Sequence, residues 1–385
     1  MTASATTCSA ATVHRVTGEG GEERIQAFGR ALDALRKEVE ASLGEQDVAH
    51  IERIGRASFV LEIVGRGLIH FSVEPVGFGL GVTALWLHKS LELMEIGHMV
   101  LHRCYDKLDV SERFKSDHFR WKAPIDEKSW HRGHNVLHHQ YTNIEGRDPD
   151  LSFGVLRLSA RVPFRRAHRL QPVTNMVTWL SFANAINAHV TGVLDIVLPH
   201  ESSCSLPDRR PETIKEAKRA WRRKFVRYHV REFAFFPALA GPFFWKVLLG
   251  NALSEVARDV YAGATIYCGH VGARDYPRGT RSGGRANWYR LQAEGARNIR
   301  VPRFMSVLCG GLDRQIEHHL FPRLPPNRLR EIAPRVKQIC EAHGVTYLER
   351  SWPDTLQEVL RDLTELRSPQ RVPGEAEADA PEPQS

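Results

Sequence analysis

Residues Gly311–Pro322 read GLDRQIEHHLFP, and this stretch decides what the rest of the chain is arranged to do. His318 and His319 follow Gln315 by three and four residues. On a helix, positions i, i+3 and i+4 share one face, so the three side chains reach into one space. Imidazoles presented this way suit a metal ion better than an apolar core. An ion needs more ligands than these, and the chain offers histidines in three further places.

There are 19 histidines in 385 residues, and their clustering matters more than their number. His98 and His102, in GHMVLH, are spaced i and i+4 at the end of an apolar stretch. In WHRGHNVLHHQYTNIEGRDPD, His134 and His138 repeat that spacing. His139 points about 100° further round the same helix and can serve a neighbouring ion. His131 is read as solvated or as lying behind the ligands. His270 ends another apolar segment. Asn135, Asn143, Asp148 and Asp150 can orient ligand rings, or simply form a polar loop with Asp-Pro turn chemistry. Glu95 and Glu317 lie beside histidines in the sequence and can either tune them or occupy a helix surface.

Eight histidines are grouped in this way, and one zinc takes about four ligands. They therefore predict two ions, each with room for an exogenous ligand. Imidazole suits iron, zinc and copper alike. No H-E-x-x-H helix of the zinc-protease kind occurs. The six cysteines lack C-x-x-C spacing, which argues against a sulfur-ligated metal or a disulfide framework. A site poor in carboxylates beside apolar segments fits redox work on a lipid better than hydrolysis.

The length allows one large domain or two ordinary ones. Mean hydropathy is −0.35, an average that hides a segregation of apolar and basic segments. A net charge of +8 favours an anionic surface. No zinc-finger, homeodomain or RNP-type motif occurs, so lipid is expected and nucleic acid is not.

Residues 1–22 are expected to be disordered, and Met1–Arg15 lacks the apolar core of a signal peptide. Residues 23–56 read as amphipathic helices. The domain 57–366 contains two apolar hairpins, with arms at 57–74 and 77–97 and at 233–250 and 251–269. Each arm is near the ~20 residues that cross a hydrocarbon core. Helices buried in a soluble protein are the competing reading. Glu255, Arg258 and Asp259 are costly in lipid unless paired, and Glu255 and Arg258 are spaced to pair. If the hairpins span a membrane, all histidine clusters must lie on one side of it. Segment 172–199, interrupted by Asn175, Asn184, Asn187, His189 and Asp195, is then expected to lie along the interface rather than cross. The basic run 209–231 marks that side as cytoplasmic. Residues 367–385 form a Pro/Glu/Ala tail without core-forming capacity. The expected fold is all-α: a four-helix membrane bundle with a cytoplasmic helical cap holding the histidine-rich site.

HMVLH, HNVLHHQYTN and QIEHH, in this order, resemble the three histidine boxes of the membrane fatty acid desaturase family. His270, in CGH after an apolar arm, matches an additional histidine ligand of that family. MEIGH, YTNIEGRD and QIEHHLFPRLPPNRL are most similar to bacterial acyl-CoA or acyl-lipid desaturases. The resemblance covers roughly Ile54–Leu366. It implies a di-iron centre (Fe2+/Fe3+) held by His98, His102, His134, His138, His139, His270, His318 and His319, with no catalytic residue beyond the metal. It implies O2 as co-substrate and an acyl chain, carried by CoA or a lipid, that gains a double bond. Gln315 stands where many members have histidine; glutamine is a poorer iron ligand, which implies a weak or water-mediated contact. Related proteins with glutamine there often carry a fused haem domain marked HPGG. This chain has no HPGG, which implies a separate electron donor, a ferredoxin or a flavoprotein reductase. The implied location is a bacterial inner membrane, crossed several times, with the active site facing the cytoplasm. A lipid hydroxylase on the same scaffold, and a non-redox zinc protein of the membrane, are the alternatives.

Overall fold

The computed structural model describes residues 19–154 and 156–370. The expectations for 1–18 and 371–385 therefore lie outside the described residues. Helix already begins at Glu19, inside the stretch expected to be disordered. In α1 (Glu19–Ala41), Ile25, Phe28, Leu32, Leu35 and Val39 recur at helical spacing, and all five are buried.

Helix α2 (Glu45–Phe71) and α3 (Pro75–Ser90) form the first hairpin. Pro75 opens α3, where its missing N–H costs nothing, and the Glu74 side chain accepts from the amides of Val76 and Gly77. The two helices touch backbone to backbone. A Cβ at Gly65 would lie 2.8 Å from the Leu85 amide nitrogen, and one at Gly81 would lie 2.9 Å from that of Ile69. Helix α3 continues without a break into a wider π-helical segment, Leu91–His98, and then Met99–Leu101.

A second π-helical segment, His131–His138, follows the short helix Glu127–Trp130. Strands β1 (Ser152–Phe153) and β2 (Leu156–Arg157) pair antiparallel, Ser152 opposite Arg157 and Phe153 opposite Leu156. Segment 172–199 folds as α4 (Gln171–Leu180), α5 (Phe182–Val190) and a last turn and a half, Val193–Val197.

The second hairpin differs from its expected bounds. Helix α6 (Pro211–Val230) runs on through a π-helical turn, Arg231–Phe235, to Ala238. The chain reverses around Gly241, whose φ is +53°, and α7 spans Phe244–His270. The break expected at 250/251 thus falls inside α7. Pro237 and the Gly241–Pro242 pair end the preceding helix, whereas Gly250 packs against Ile69 within a continuous one.

No described helix is long and apolar enough to cross a membrane. The ionic residues of these helices point inward. Lys89 donates to Glu232 (2.9 Å), the Tyr228 hydroxyl (3.0 Å) and Glu255. Arg258 donates to Glu255 and Asp259, and Arg66 to Glu62 and Glu232. Phe59, Ile63, Leu80, Phe243, Trp245 and Leu253, on the same helices, are exposed.

Beyond α7 come α8 (Arg285–Glu294), β3 (Asn298–Arg300), α9 (Gln315–Leu320), α10 (Pro326–Ala342), β4 (Glu349–Ser351) and α11 (Trp352–Glu365). Strands β3 and β4 pair parallel, with Ile299 opposite Arg350. Helix α1 packs on α8 and α10. Arg328 grips Asp47 at 2.7 and 2.9 Å and ties α10 to α2. A single buried core joins α1, the histidine-bearing segments and the C-terminal helices.

Candidate metal centre

Four separate pieces of chain deliver the histidines to one place. The π-helical segment after α3 carries His98 at its end, and His102 lies one turn on. The second π-helical segment carries His134 and His138 and is followed by His139. Helix α7 ends on His270, and α9 carries Gln315, His318 and His319. π-helical turns are rare and recur at functional sites.

The donor atoms fall into two groups. One comprises His98, His102, His134 and His318; the other comprises His138, His270 and His319. Asp150 forms a further group with His134 and His138, between the two. In the first group, His98 Nε2 lies 3.1 Å from the Nε2 atoms of both His102 and His134. In the second, His319 Nε2 lies 3.2 Å from His270 Nε2. His139 bridges the groups: its Nε2 is 3.3 Å from His134 Nε2, and its ring stacks on His319 at 4.4 Å. The Gln315 amide reaches 2.7 Å from His270 Nε2 and 3.3 Å from His319 Nε2. His131 is exposed and belongs to neither group.

These spacings suit metal ions. Two nitrogens each about 2.1 Å from a shared ion lie roughly 3.0–3.4 Å apart in octahedral or tetrahedral geometry. Neutral imidazoles cannot satisfy so many facing nitrogens by hydrogen bonding among themselves, since each carries one proton. His138 Nε2 and both ring nitrogens of His318 are buried without any hydrogen-bond partner, as is Gln315 Oε1. Burial, reinforced by the neighbouring imidazoles, pushes His98 and His270 down to about 3. The same causes hold His102, His134, His139, His318 and His319 well below the usual range. Neutral rings are the form that binds metal.

Several rings are held from behind. His138 Nδ1–H donates to Asp148 at 3.0 Å. Burial alone would lower His138, but Asp148 and Asp150 outweigh it and raise it to about 9. Asp148 also accepts the backbone amides of Asn143 and Asp150, at 2.8 and 2.9 Å. Asn143, at φ +56°, donates its side chain to the carbonyls of Arg274 and Gly295 and so locks that turn. His319 Nδ1–H donates to Gln292 Oε1 at 3.0 Å, and the Thr142 hydroxyl donates to the same oxygen at 2.8 Å. Trp130 stacks on His134 at 4.2 Å. His189 Nε2–H donates to Asp150 at 3.0 Å.

Three residues expected behind the ligands touch other partners instead. Glu95 accepts from His50 (2.7 Å) and Arg330 (3.0 Å). Asn135 donates to the Leu101 carbonyl at 2.7 Å, joining the first two histidine segments through backbone. Glu317 accepts from Asn298 and Tyr347; burial pushes it up to about 7 against those bonds. Asn135 and Glu317 face away because each is next to a histidine on its helix and adjacent positions do not share a face, whereas Glu95, three before His98, is turned off that face by the wider π-helical turn. Gln292, Thr142, Trp130 and His189 were not singled out as site residues. Thr142 stood within the box motif itself, whereas Gln292 comes from a helix with no motif.

An apolar cavity opens beside the two groups. Leu93, Met94, Ile125, Phe182, Ile186 and Ile266 line it, and His98, His134, His138 and His270 reach its wall. An apolar chain held there meets the histidine groups directly.

The fatty acid desaturase family model matches residues 75–351, which contain every histidine of the two groups. The NADPH-dependent stearoyl-CoA 9-desaturase of Mycobacterium tuberculosis is 31% identical over 370 residues, covering 94% of this chain and 84% of that protein. The acyl-lipid (9-3)-desaturase of Physcomitrium patens is 34% identical over 122 residues, 32% of this chain and 22% of that one. The Delta(8)-fatty-acid desaturase 2 of Arabidopsis thaliana is 40% identical over 100 residues, 26% of this chain and 18% of that one. A match spanning the whole histidine-bearing region, with a relative alike over most of both chains, leaves one conclusion: this chain belongs to the fatty acid desaturase family and is an oxidoreductase that desaturates fatty acyl chains.

Proposed function

We propose that the enzyme is an O2-dependent acyl-CoA desaturase whose two groups of imidazoles hold two iron ions. The observation that carries this is the convergence of buried imidazole nitrogens in two groups beside one apolar cavity. His98, His102, His134 and His318 would hold one ion, and His138, His270 and His319 the other. His139 would join from between them, and Gln315 would complete the second group weakly or through water. When bound, the iron pair supplies reduction of O2 and removal of two hydrogens from neighbouring methylenes. The chain's own residues do the positioning. Asp148 and Gln292 hold the Nδ1 protons of His138 and His319, so that each Nε2 faces inward. Phe182, Ile186 and Ile266 exclude water and seat the acyl chain.

The relative named for stearoyl-CoA, matched over 84% of its length, supports acyl-CoA as substrate, and its NADPH dependence supports an external electron supply. Ferredoxin or a flavoprotein reductase is the proposed donor. A bilayer is the proposed setting. Phe59, Ile63 and Leu80 on the first hairpin, with Phe243, Trp245 and Leu253 on the second, form an exposed apolar belt around an ion-paired interior. The basic helix α6 supports a cytoplasmic active site.

The test is expression in a desaturase-deficient bacterial host, with double-bond mapping of total lipid and metal analysis of the purified protein. A new double bond, about two irons per chain and dependence on O2 are expected. A hydroxylated product would change the assigned reaction. Two zincs without iron, with activity under strict anaerobiosis, would overturn the reading.

A further inference from the structure

A second cavity, of about 370 Å³, adjoins the apolar one, and Trp121 stands in the wall of both. Six cations line it: Arg120, Lys122, Arg223, Lys224, Arg227 and Arg231. One carboxylate, Glu127, lines it with them. Four of the cations are steadied by carboxylates: Lys122 and Arg231 by Glu62 (2.9 and 2.7 Å), Arg223 by Asp126 (2.7 Å) and Lys224 by Glu127 (2.5 Å). Arg120 and Arg227 are exposed and pair with no carboxylate among the described residues. Cations gathered around a concave space, with low-dielectric walls behind them, concentrate anions.

We propose that this cleft binds the phosphate groups of the acyl carrier, with Trp121 dividing the anionic head from the apolar chain. The inference rests on the desaturase reading and names the head of the substrate that reading requires. Trp121 is fixed in place. Its Nε1–H donates to the Glu92 carbonyl at 2.9 Å, and a Cβ at Gly97 would come within 2.0 Å of the same nitrogen. Two compartments, one cationic and one apolar, meeting at one immobile side chain, define an amphiphile: a phosphate-bearing head joined to a chain that runs toward the histidines. Arg227 and Arg120, the latter donating only to the Asp117 and Phe119 carbonyls, keep guanidinium N–H groups without a carboxylate and make the direct contacts; guanidinium forks fit phosphate oxygens in pairs. Coenzyme A and an anionic phospholipid both carry this chemistry.

The test uses the full-length protein in nanodiscs of neutral lipid. Unacylated coenzyme A and glycerophosphoglycerol, the soluble head of phosphatidylglycerol, are titrated calorimetrically into wild type, Arg120→Ala/Arg227→Ala and Arg227→Glu. Circular dichroism and iron content check that the variants fold and load metal. Coenzyme A affinity is expected to fall at least tenfold in both variants, and to weaken in wild type between low and high salt. Loss confined to glycerophosphoglycerol would support the subsite and make phospholipid the carrier. Unchanged affinity for both probes in folded variants, or no binding of either probe by wild type, would overturn the subsite. Neither result touches the desaturase reading, which is decided separately by double bonds and iron.

Discussion

The Asp148 carboxylate lies 3.0 Å from His138 Nδ1, and through that bond it fixes which nitrogen of the ring faces His270 and His319. Loss of such an outer partner lowers metal affinity about 10–100-fold. Asp148→Ala should therefore lose iron to a competing chelator within that range while keeping its helical circular dichroism. Asp148→Asn, which retains the shape and an acceptor oxygen, should fall between the two. Iron retention equal to wild type in Asp148→Ala would remove this role.

His138→Ala and His318→Ala each delete a ligand from a different group, so each should abolish product formation with the fold largely intact. Gln315→Ala is the graded case. Its amide sits between His270 and His319 without replacing either, and a partial loss of turnover is expected. Product analysis with a saturated acyl substrate measures all three variants. Full activity in Gln315→Ala would exclude the amide from the centre.

Lys89 joins Glu232, Glu255 and Tyr228 in the interior of the two hairpins. Removing one partner of a buried ion pair costs about 3–5 kcal/mol. Arg66 and Arg258 still face the same carboxylates, so Lys89→Met should destabilise toward the lower end of that range. Pairing it with Glu232→Gln should recover part of the loss. Thermal unfolding in nanodiscs measures both changes, and additive losses would show that the residues act independently.

Asp47 gives a pH dependence of stability. Burial raises its carboxyl, but hydrogen bonds from Arg328, Asn327 and the Gly44 amide outweigh this and hold it below the usual range. Its contribution is therefore full above the unfolded value near 3.9 and is lost as pH falls through the lower folded value. Asp47→Asn should be less stable than wild type at pH 7, and the gap should close below about pH 4. Melting temperatures across pH 3–7 test the sign; a gap that widens in acid would refute it.

The convergence of histidines was legible because its periodicity is local. His98/His102, His134/His138 and Gln315/His318/His319 announce themselves at i, i+3 or i+4, and Asp148 was legible as a carboxylate near the second box. Gln292 was not, because its helix meets His319 only through the tertiary fold. Glu95 and Glu317 misled for the opposite reason: nearness along the chain is not nearness in space, and their helices turn them toward Arg330 and Asn298. The second hairpin was misjudged because an apolar run does not mark its own corner, whereas Gly241–Pro242 does. Inward salt bridges were legible where the partners are close in sequence, as for Glu255 and Arg258, and not where Lys89 meets Glu232 and Glu255 across the fold.

The widened turns at Leu91–His98 and His131–His138 carry a consequence for how this centre tolerates change in chain length. Each accommodates one more residue than an α-helical turn would. Deleting a single residue there would let the segment tighten to α-helical geometry and shift the residues within it by up to about 100° against those beyond. His98 and His102, or His134, His138 and His139, would then no longer face one common space. A lost codon there is thus as damaging as a lost ligand, so the histidines are guarded by the count of residues around them as much as by their own identity.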